Sequence, residues 1–419
     1  MRFAELLYSI IIHGYGLAIR IAAPFRVKAR QWVDGRKAWR KQLHSALNEA
    51  QGNRRIWVHA ASLGEFEQGR PVIEAIRDSY PDDYILLTFF SPSGYEIRKD
   101  YGQVDHVSYL PLDTIGNAKD FIQIVDPQLA IFIKYEFWFR FLDALGQADV
   151  HTILVSGRMH MKQGFFRPWG RYFRAGLDTF HHFFVQDERS AELLKGIGVD
   201  RVTMNGDTRF DRVAAIKEEN SRIEAIESWL GDAPCLVVGS SWPYDEILLE
   251  QYIRNRVDEE FKVLLAPHEI DQDRMEEFQN QCLKPTGIWS EGSWENDDVL
   301  IIDTIGMLSV LYRYADVAII GGGHGSGIHN TLEAAVWGCP LVFGPRYTPF
   351  IEAVELVERG AAVSVEIQEE FDSALDVWLF DSEKAKSAGA LGAEYCRTQV
   401  GATVAVMDYL DQVLHRPNN

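Results

Sequence analysis

Cysteine is scarce in this 419-residue chain: Cys235, Cys282, Cys339 and Cys396 lie far apart, with no C-x-x-C pair. That excludes a disulfide framework and any cysteine-based metal spacing. It fits reduced, cytoplasmic usage in which each thiol serves as a small buried hydrophobe. Low-complexity tracts are missing. With 47% hydrophobic and 25% charged residues the composition is globular, and the length calls for two domains of about 200 residues each. Positive charge is in short supply, and a net charge of −19 argues against a nucleic-acid partner. Near the N-terminus the longest uncharged run, Leu6 to Ile19, has 14 residues, short of the ~20 a spanning helix needs. No small-residue cleavage site follows it, so a secretory signal is not expected. Gly-Lys-Ser/Thr does not occur, and no carboxylate cluster suggests a metal.

The few cations present are concentrated. Residues 1–41 carry nine Lys/Arg against Glu5 and Asp34, a local charge of +7 that leaves −26 for the remainder. An acidic body with a basic front end predicts an anionic partner at the N-terminus. There, Arg2, Glu5, Ser9, His13, Gly16 and Arg20 recur at helical spacing and draw a narrow polar stripe on an otherwise apolar helix. That pattern predicts a helix lying in a membrane interface, with the cations from 26 to 41 each adding about 1 kcal/mol of attraction to anionic lipid. The alternatives are a helix docked on its own domain, or a dimer contact.

From residue 54 short apolar runs alternate with helical patterns. Strands are predicted at 56–60, 84–89, 129–133, 151–155 and 181–185. A second series covers 235–239, 261–265, 299–302, 316–320, 340–343 and 361–365. Apolar strands separated by helices predict an α/β chain of two Rossmann-like, doubly wound parallel sheets facing a central cleft. The charged stretch at 211–230 separates the two series. The expected organisation is a membrane-associating segment at 1–41 and two Rossmann-like domains at 42–215 and 216–419. The last helix is a candidate to pack back on the N-terminal domain.

Each half repeats one local device. In the first, the strand at 56–60 leads into Ser62-Leu63-Gly64-Glu65. Ser-x-x-Glu at a strand-to-helix junction is a capping box, and the same carboxylate is also placed to act as a base. In the second, G-G-G-H-G-S-G-I-H-N-T-L-E carries glycines Gly321 to Gly327 into Asn330-x-x-Glu333. Glycines admit close backbone approach, and the N–H groups and dipole of a new helix favour an anion. Here too the alternative is a plain glycine turn with Asn330 as N-cap. Ser240-Ser241, Pro267-His268 and the turn through Ile305 and Gly306 follow other strands of the same half. Together they predict a nucleotide pocket.

With these residues collected, the chain resembles the Kdo (3-deoxy-D-manno-octulosonic acid) transferases, inverting glycosyltransferases of GT-B architecture. The segments that carry the resemblance are W-V-H-A-A-S-L-G-E, I-K-Y-E-F-W, G-D-T-R-F-D, D-T-I-G-M-L, A-D-V-A-I-I-G-G-G, H-N-T-L-E-A-A and P-L-V-F-G-P. The resemblance implies transfer of Kdo from CMP-Kdo to an acylated lipid A precursor at the cytoplasmic face of the inner membrane, with no metal or other cofactor. It implies that Glu65 is the base and Glu136 a second functional carboxylate. Donor contacts fall on Arg209, Ser240, Ser241, Pro267, His268, Ile305, Gly306, Met307, Leu308, Gly323, Asn330, Thr331, Leu332 and Glu333. Ser62, Gly64 and Arg158 fall to the acceptor or the sugar carboxylate. The chain departs from the family pattern at Lys134, Phe139 and Ala266, and has Gly-Ser-Ser-Trp where a Gly-Ser-Thr-His type of segment is usual. A UDP-sugar transferase, a nucleotide-sugar epimerase, or a non-catalytic nucleotide-sugar-binding protein at the membrane would share the glycine-rich half.

Overall fold

Uninterrupted apolar runs become parallel strands in both halves of the computed structural model, which describes residues 2–48, 54–167 and 170–414. Two compact units emerge. Unit 1 comprises Met1–Asp211 and Gly401–Asn419, and unit 2 comprises Arg212–Val400.

Unit 1 holds seven strands: β1 Arg55–Ala60, β2 Tyr84–Phe89, β3 His106–Tyr109, β4 Leu129–Ile133, β5 His151–Gly157, β6 His182–Val185 and β7 Val202–Met204. All pair in parallel, in the order β3-β2-β1-β4-β5-β6-β7. Alternation along β1 sends Trp57 and His59 to one face of the sheet and Ile56, Val58 and Ala60 to the other. Both faces are buried, which is why the strands read as continuous hydrophobic runs rather than alternating ones. The second face is covered by Phe66, Val72, Ile73 and Ile76 of the helix Leu63–Ser79, and by Val406 and Leu410 of the helix Ala402–Leu414. That last helix is capped by Asp211, whose carboxylate accepts from the N–H groups of Gly401 (2.6 Å) and Thr403 (2.7 Å).

Unit 2 repeats the plan with β8 Cys235–Ser241, β9 Lys262–Pro267, β10 Thr286–Ile288, β11 Val299–Ile301, β12 Val317–Ile320, β13 Leu341–Phe343 and β14 Ala362–Ser364, in the order β10-β11-β9-β8-β12-β13-β14. The strands expected from sequence did not include β3, β7 and β10. In both sheets the strand order reverses beside the first strand of the unit, between β1 and β4 and between β8 and β12. Such a switch point opens a crevice at the carboxyl ends of the strands.

The N-terminal segment forms α1 (Arg2–Ala22), α2 (Val27–Asp34) and α3 (Trp39–Leu47). Part of the expected polar stripe faces the protein. The Arg140 guanidinium donates to the Glu5 carbonyl (3.0 Å) and to Ser9 Oγ (3.1 Å), Tyr8 donates to Asp113, and Gly16 packs on Leu112. Beside them Ile12 is buried against Trp32 and Leu112. His13 and Arg20 are exposed, and the side chain of Arg2 lies outside the described residues. Leu6, Leu7, Ile10, Ile11, Leu17 and Ile21 face outward. By length and composition Ala4–Ala22 is long and apolar enough to cross a membrane, which the uncharged run of Leu6 to Ile19 was not. The longer stretch qualifies because it tolerates Glu5 and Arg20 within one helix.

Candidate active site

The capping box expected at Ser62-x-x-Glu65 does not form. Ser62 is extended (φ −141°, ψ 177°) as an N-cap residue should be, yet its side chain accepts no helix N–H. Its hydroxyl donates instead to the Glu65 carboxylate. Glu65 is buried in the first turn of the helix Leu63–Ser79, where the positive end of the helix dipole favours a carboxylate. Gly64 leaves open space beside it, since a Cβ there would meet nothing nearer than Ser62 Oγ at 3.9 Å.

Glu136 follows β4, on the other side of the switch point. Lys134, which begins that turn, adopts a left-handed φ of 68° while its N–H bonds the Val155 carbonyl (2.8 Å). Glu136 Oε2 lies 3.8 Å from Nε2 of His59. His59 is wholly buried in β1: its Nδ1 meets the Thr88 carbonyl (3.1 Å) and hydroxyl (2.9 Å), and its Nε2 lies 2.9 Å from the Trp138 indole N–H. Because the indole can only donate, Nε2 accepts, and the proton of His59 belongs on Nδ1. Partial burial, and then the charges of Glu65 and Glu136, raise the pKa of the Tyr135 phenol, with Arg158 opposing. One cluster at the carboxyl edge of unit 1 therefore holds Glu65, Tyr135, Glu136 and Arg158.

Arg158 follows β5 and lies 3.8 Å from the Asp187 carboxylate. Arg209 clasps Asp207 through Nε (3.0 Å) and a terminal nitrogen (2.8 Å), while Gln186 donates to the same oxygen (2.9 Å). Burial alone would push Asp207 up, but the Arg209 charge and its hydrogen bonds hold the carboxyl below its usual range.

In unit 2 the expected donor residues also fall at strand ends: Ser240 and Ser241 end β8, Pro267 ends β9, and the Ile305-to-Leu308 turn follows β11. The glycines follow β12. The Ser241 hydroxyl is committed to Glu246 (2.6 Å) and points into the fold, so of this pair only the left-handed Ser240 (φ 53°) remains for a ligand. Ile305 is 83% exposed, and Gly306 takes a positive φ of 98°. Gly321 and Gly323 are there for space: a Cβ would stand 2.2 Å from the Ser240 carbonyl oxygen at the first and 2.5 Å from the Gly344 nitrogen at the second. Asn330 accepts from the Leu332 N–H (3.1 Å) and donates to Glu333 (2.9 Å), with Thr331 fully buried between them. The helix expected to follow is a four-residue turn, Leu332–Ala335, too short to build the dipole that the sequence suggested. What this edge offers an anion is closely approachable backbone.

Sequence reasoning missed a stack at the same edge. Trp242 lies over His268 (ring centroids 4.8 Å), His268 over His329 (4.2 Å), and the Trp242 indole donates to His329 Nε2 (2.9 Å). Burial first, and then the neighbouring His268 charge, hold the His329 pKa down at about 4, with Asp245 opposing. Asp245 accepts from the N–H groups of Trp242 (3.0 Å) and Gly322 (2.9 Å) and lies 3.3 Å from His324 Nδ1, tying the β8 turn to the glycine loop. The Trp of Gly-Ser-Ser-Trp was the available signal. Among the described residues no group of three or more His, Cys, Asp or Glu is placed to hold a metal ion.

Residues 37–212 match the family described as 3-deoxy-D-manno-octulosonic-acid transferase (kdotransferase). A 3-deoxy-D-manno-octulosonic acid transferase of Rickettsia felis is 28% identical over 305 residues, which cover 69% of this chain and 64% of that protein, just under two thirds of its length. One of Chlamydophila psittaci is 27% identical over 320 residues, 73% of each chain. Among solved structures, a UDP-GlcNAc 2-epimerase from Neisseria meningitidis superposes with a TM-score of 0.60 at 13% identity, covering 85% of this chain and 100% of that one. MurG of Acinetobacter baumannii gives 0.54 at 13% identity, covering 86% and 99%. These structures establish the GT-B fold, and the family match over residues 37–212 together with the relatives in sequence makes this chain similar to the 3-deoxy-D-manno-octulosonic acid transferases.

Proposed function

We propose that this chain transfers Kdo from CMP-Kdo to a hydroxyl of an acylated, phosphorylated disaccharide of the lipid IVA type, with inversion, at the cytoplasmic face of the bacterial inner membrane. The observation that carries the reading is the state of Glu65. In a chain similar to the Kdo transferases, its carboxylate sits buried at the sheet's switch point, held by the Ser62 hydroxyl rather than spent on capping its own helix. An alcohol is a poor nucleophile at neutral pH, so the acceptor's proton must pass to a carboxylate within reach as its oxygen attacks the anomeric carbon. The bond from that carbon to the CMP phosphate breaks on the opposite side, and CMP leaves with the electron pair.

Glu136 orients the sugar; Arg158 and Arg209 supply charge for its carboxylate or a phosphate. In unit 2 the turns at Pro267-His268, Ile305 to Leu308 and Asn330 to Glu333 hold CMP, with Ser240 and Gly323 admitting the phosphate to the backbone. The developing charge on the leaving phosphate is met by these fixed dipoles and cations, with no metal required.

The test is CMP release by the purified protein given CMP-Kdo and a tetraacylated lipid A precursor, comparing wild type with Glu65→Ala. Turnover by the wild type alone, with CMP bound by both, is the expected result. Equal turnover would return Glu65 to a structural role, and no turnover by either would point to another donor.

A further inference from the structure

The ends of α1, α2 and α3 enclose a cavity of about 510 Å³ whose lining includes Arg20, Arg36, Lys37, Arg40 and Lys41 and no carboxylate. Arg36 forms part of its wall. Its guanidinium packs 3.9 Å from the Trp32 ring centre and 4.7 Å from that of Tyr109, and donates to the carbonyls of Leu110 (2.8 Å), Trp32 (3.0 Å) and Phe90 (2.7 Å). Carbonyls satisfy its hydrogen bonds but leave its charge standing. Burial pulls its pKa down to about 9, opposed only by Tyr109 and Tyr15, so at neutral pH this is a largely buried cation without a carboxylate partner. A buried charge is normally paired.

The rest of the lining is as unbalanced. Lys37 pairs with Asp34 (2.6 Å) and Arg40 with Asp120 (2.6 Å), both at exposed positions where such pairs contribute little and exchange readily. Arg20 and Lys41 have no ion-pair partner among the described residues. Against these charges the carboxyl end of α1 sets only about half a negative charge. The cavity therefore calls for an anion. On the helix that supplies Arg20, Leu17 and Ile21 are exposed, as are Phe25 (82%) and Val27 (69%) just after it. A cation pocket and exposed apolar residues on the same short segment suit an anionic amphiphile.

We propose that this pocket holds the phosphate of an anionic membrane lipid, whose acyl chains lie along the outward side of α1. The inference rests on the reading of this protein as an enzyme of the membrane surface, and it assigns that contact to a defined cavity rather than to diffuse charge. The experiment measures partition of the full chain onto phosphatidylcholine vesicles with and without phosphatidylglycerol. Arg20→Gln/Lys41→Gln removes two of the pocket's three cations that lack a carboxylate partner and leaves the buried Arg36 in place. Arg26→Gln/Lys28→Gln removes the same charge from exposed positions outside the lining, and melting curves confirm that both variants fold. Diffuse attraction would make both variants lose alike, about fivefold per cation; a lipid held in the pocket should make the pocket variant lose roughly tenfold more binding to the anionic vesicles than the control. Equal losses in the two variants would overturn the proposal in favour of diffuse attraction. Inorganic phosphate, added against chloride at equal ionic strength, should not displace the protein. Displacement that disappears in the pocket variant would show a free-phosphate site and overturn the lipid assignment. Turnover is not read, so failure here and failure of the transferase reading are separate results.

Discussion

Ser62 decides what Glu65 is free to do. Loss of a true Ser N-cap costs about 1 kcal/mol. Because this hydroxyl bonds the carboxylate rather than the helix, Ser62→Ala should lower thermal stability by less than that while reducing kcat. Glu65→Gln keeps the size of the side chain and should cut kcat by about 10²–10⁴ with CMP affinity unchanged, as calorimetry would show. His329 supplies a pH prediction. Its folded pKa of about 4 lies below the ordinary 6.5, so protons bind the unfolded chain more readily. Its contribution to stability is therefore complete above pH 6.5 and is lost as pH falls toward 4. In urea titrations across that window, His329→Gln should flatten the decline in the transition that reports on Trp242. Glu65 and Glu136 were legible in the sequence because each directly follows an apolar run. His59 and Trp138 were not. One hydrogen bond joins them, between the β1 strand and the turn after β4, and only the strand order brings these together.

At the scale of elements, the interior strands announced themselves, while three of the four sheet-edge strands did not and only β14, at 361–365, did. Strands β3, β7 and β10 lie at or next to the sheet edges with three or four residues each. His106-Val-Ser-Tyr, Val202-Thr-Met and Thr286-Gly-Ile are too short and too mixed in polarity to contain a sustained apolar run. The stripe on α1 was legible as a stripe, yet periodicity alone cannot say which side faces the protein. The anion-binding helix after Asn330 was overread, since Leu332–Ala335 stops after one turn. The glycine loop gives a paired test of close approach. Gly321→Ala would drive a Cβ to 2.2 Å from the Ser240 carbonyl oxygen, where backbone cannot yield, and should cost about 1–3 kcal/mol together with CMP affinity. Gly325→Ala meets nothing closer than the Gly322 carbonyl at 3.5 Å and should leave both almost unchanged.

For the whole molecule, charge is divided as sharply as fold. A body carrying −26 is repelled by an anionic surface, so any encounter with one has to be directed by the +7 of residues 1–41. A chain beginning at Gln31 should lose most of its partition to anionic vesicles, and the loss should shrink as salt is raised. Equal partition of the two chains would remove the N-terminal segment from that role. The return of the chain at Gly401 to complete unit 1 has a consequence for synthesis. Domains generally fold in order of emergence from the ribosome. Here unit 2 lies wholly inside the interval between Asp211 and Gly401, so it is finished first, while Val58, Ile131 and their neighbours wait for Val406 and Leu410 to be translated. A premature stop near residue 400 should therefore leave the later half folded and the earlier half exposed to chaperones and proteases.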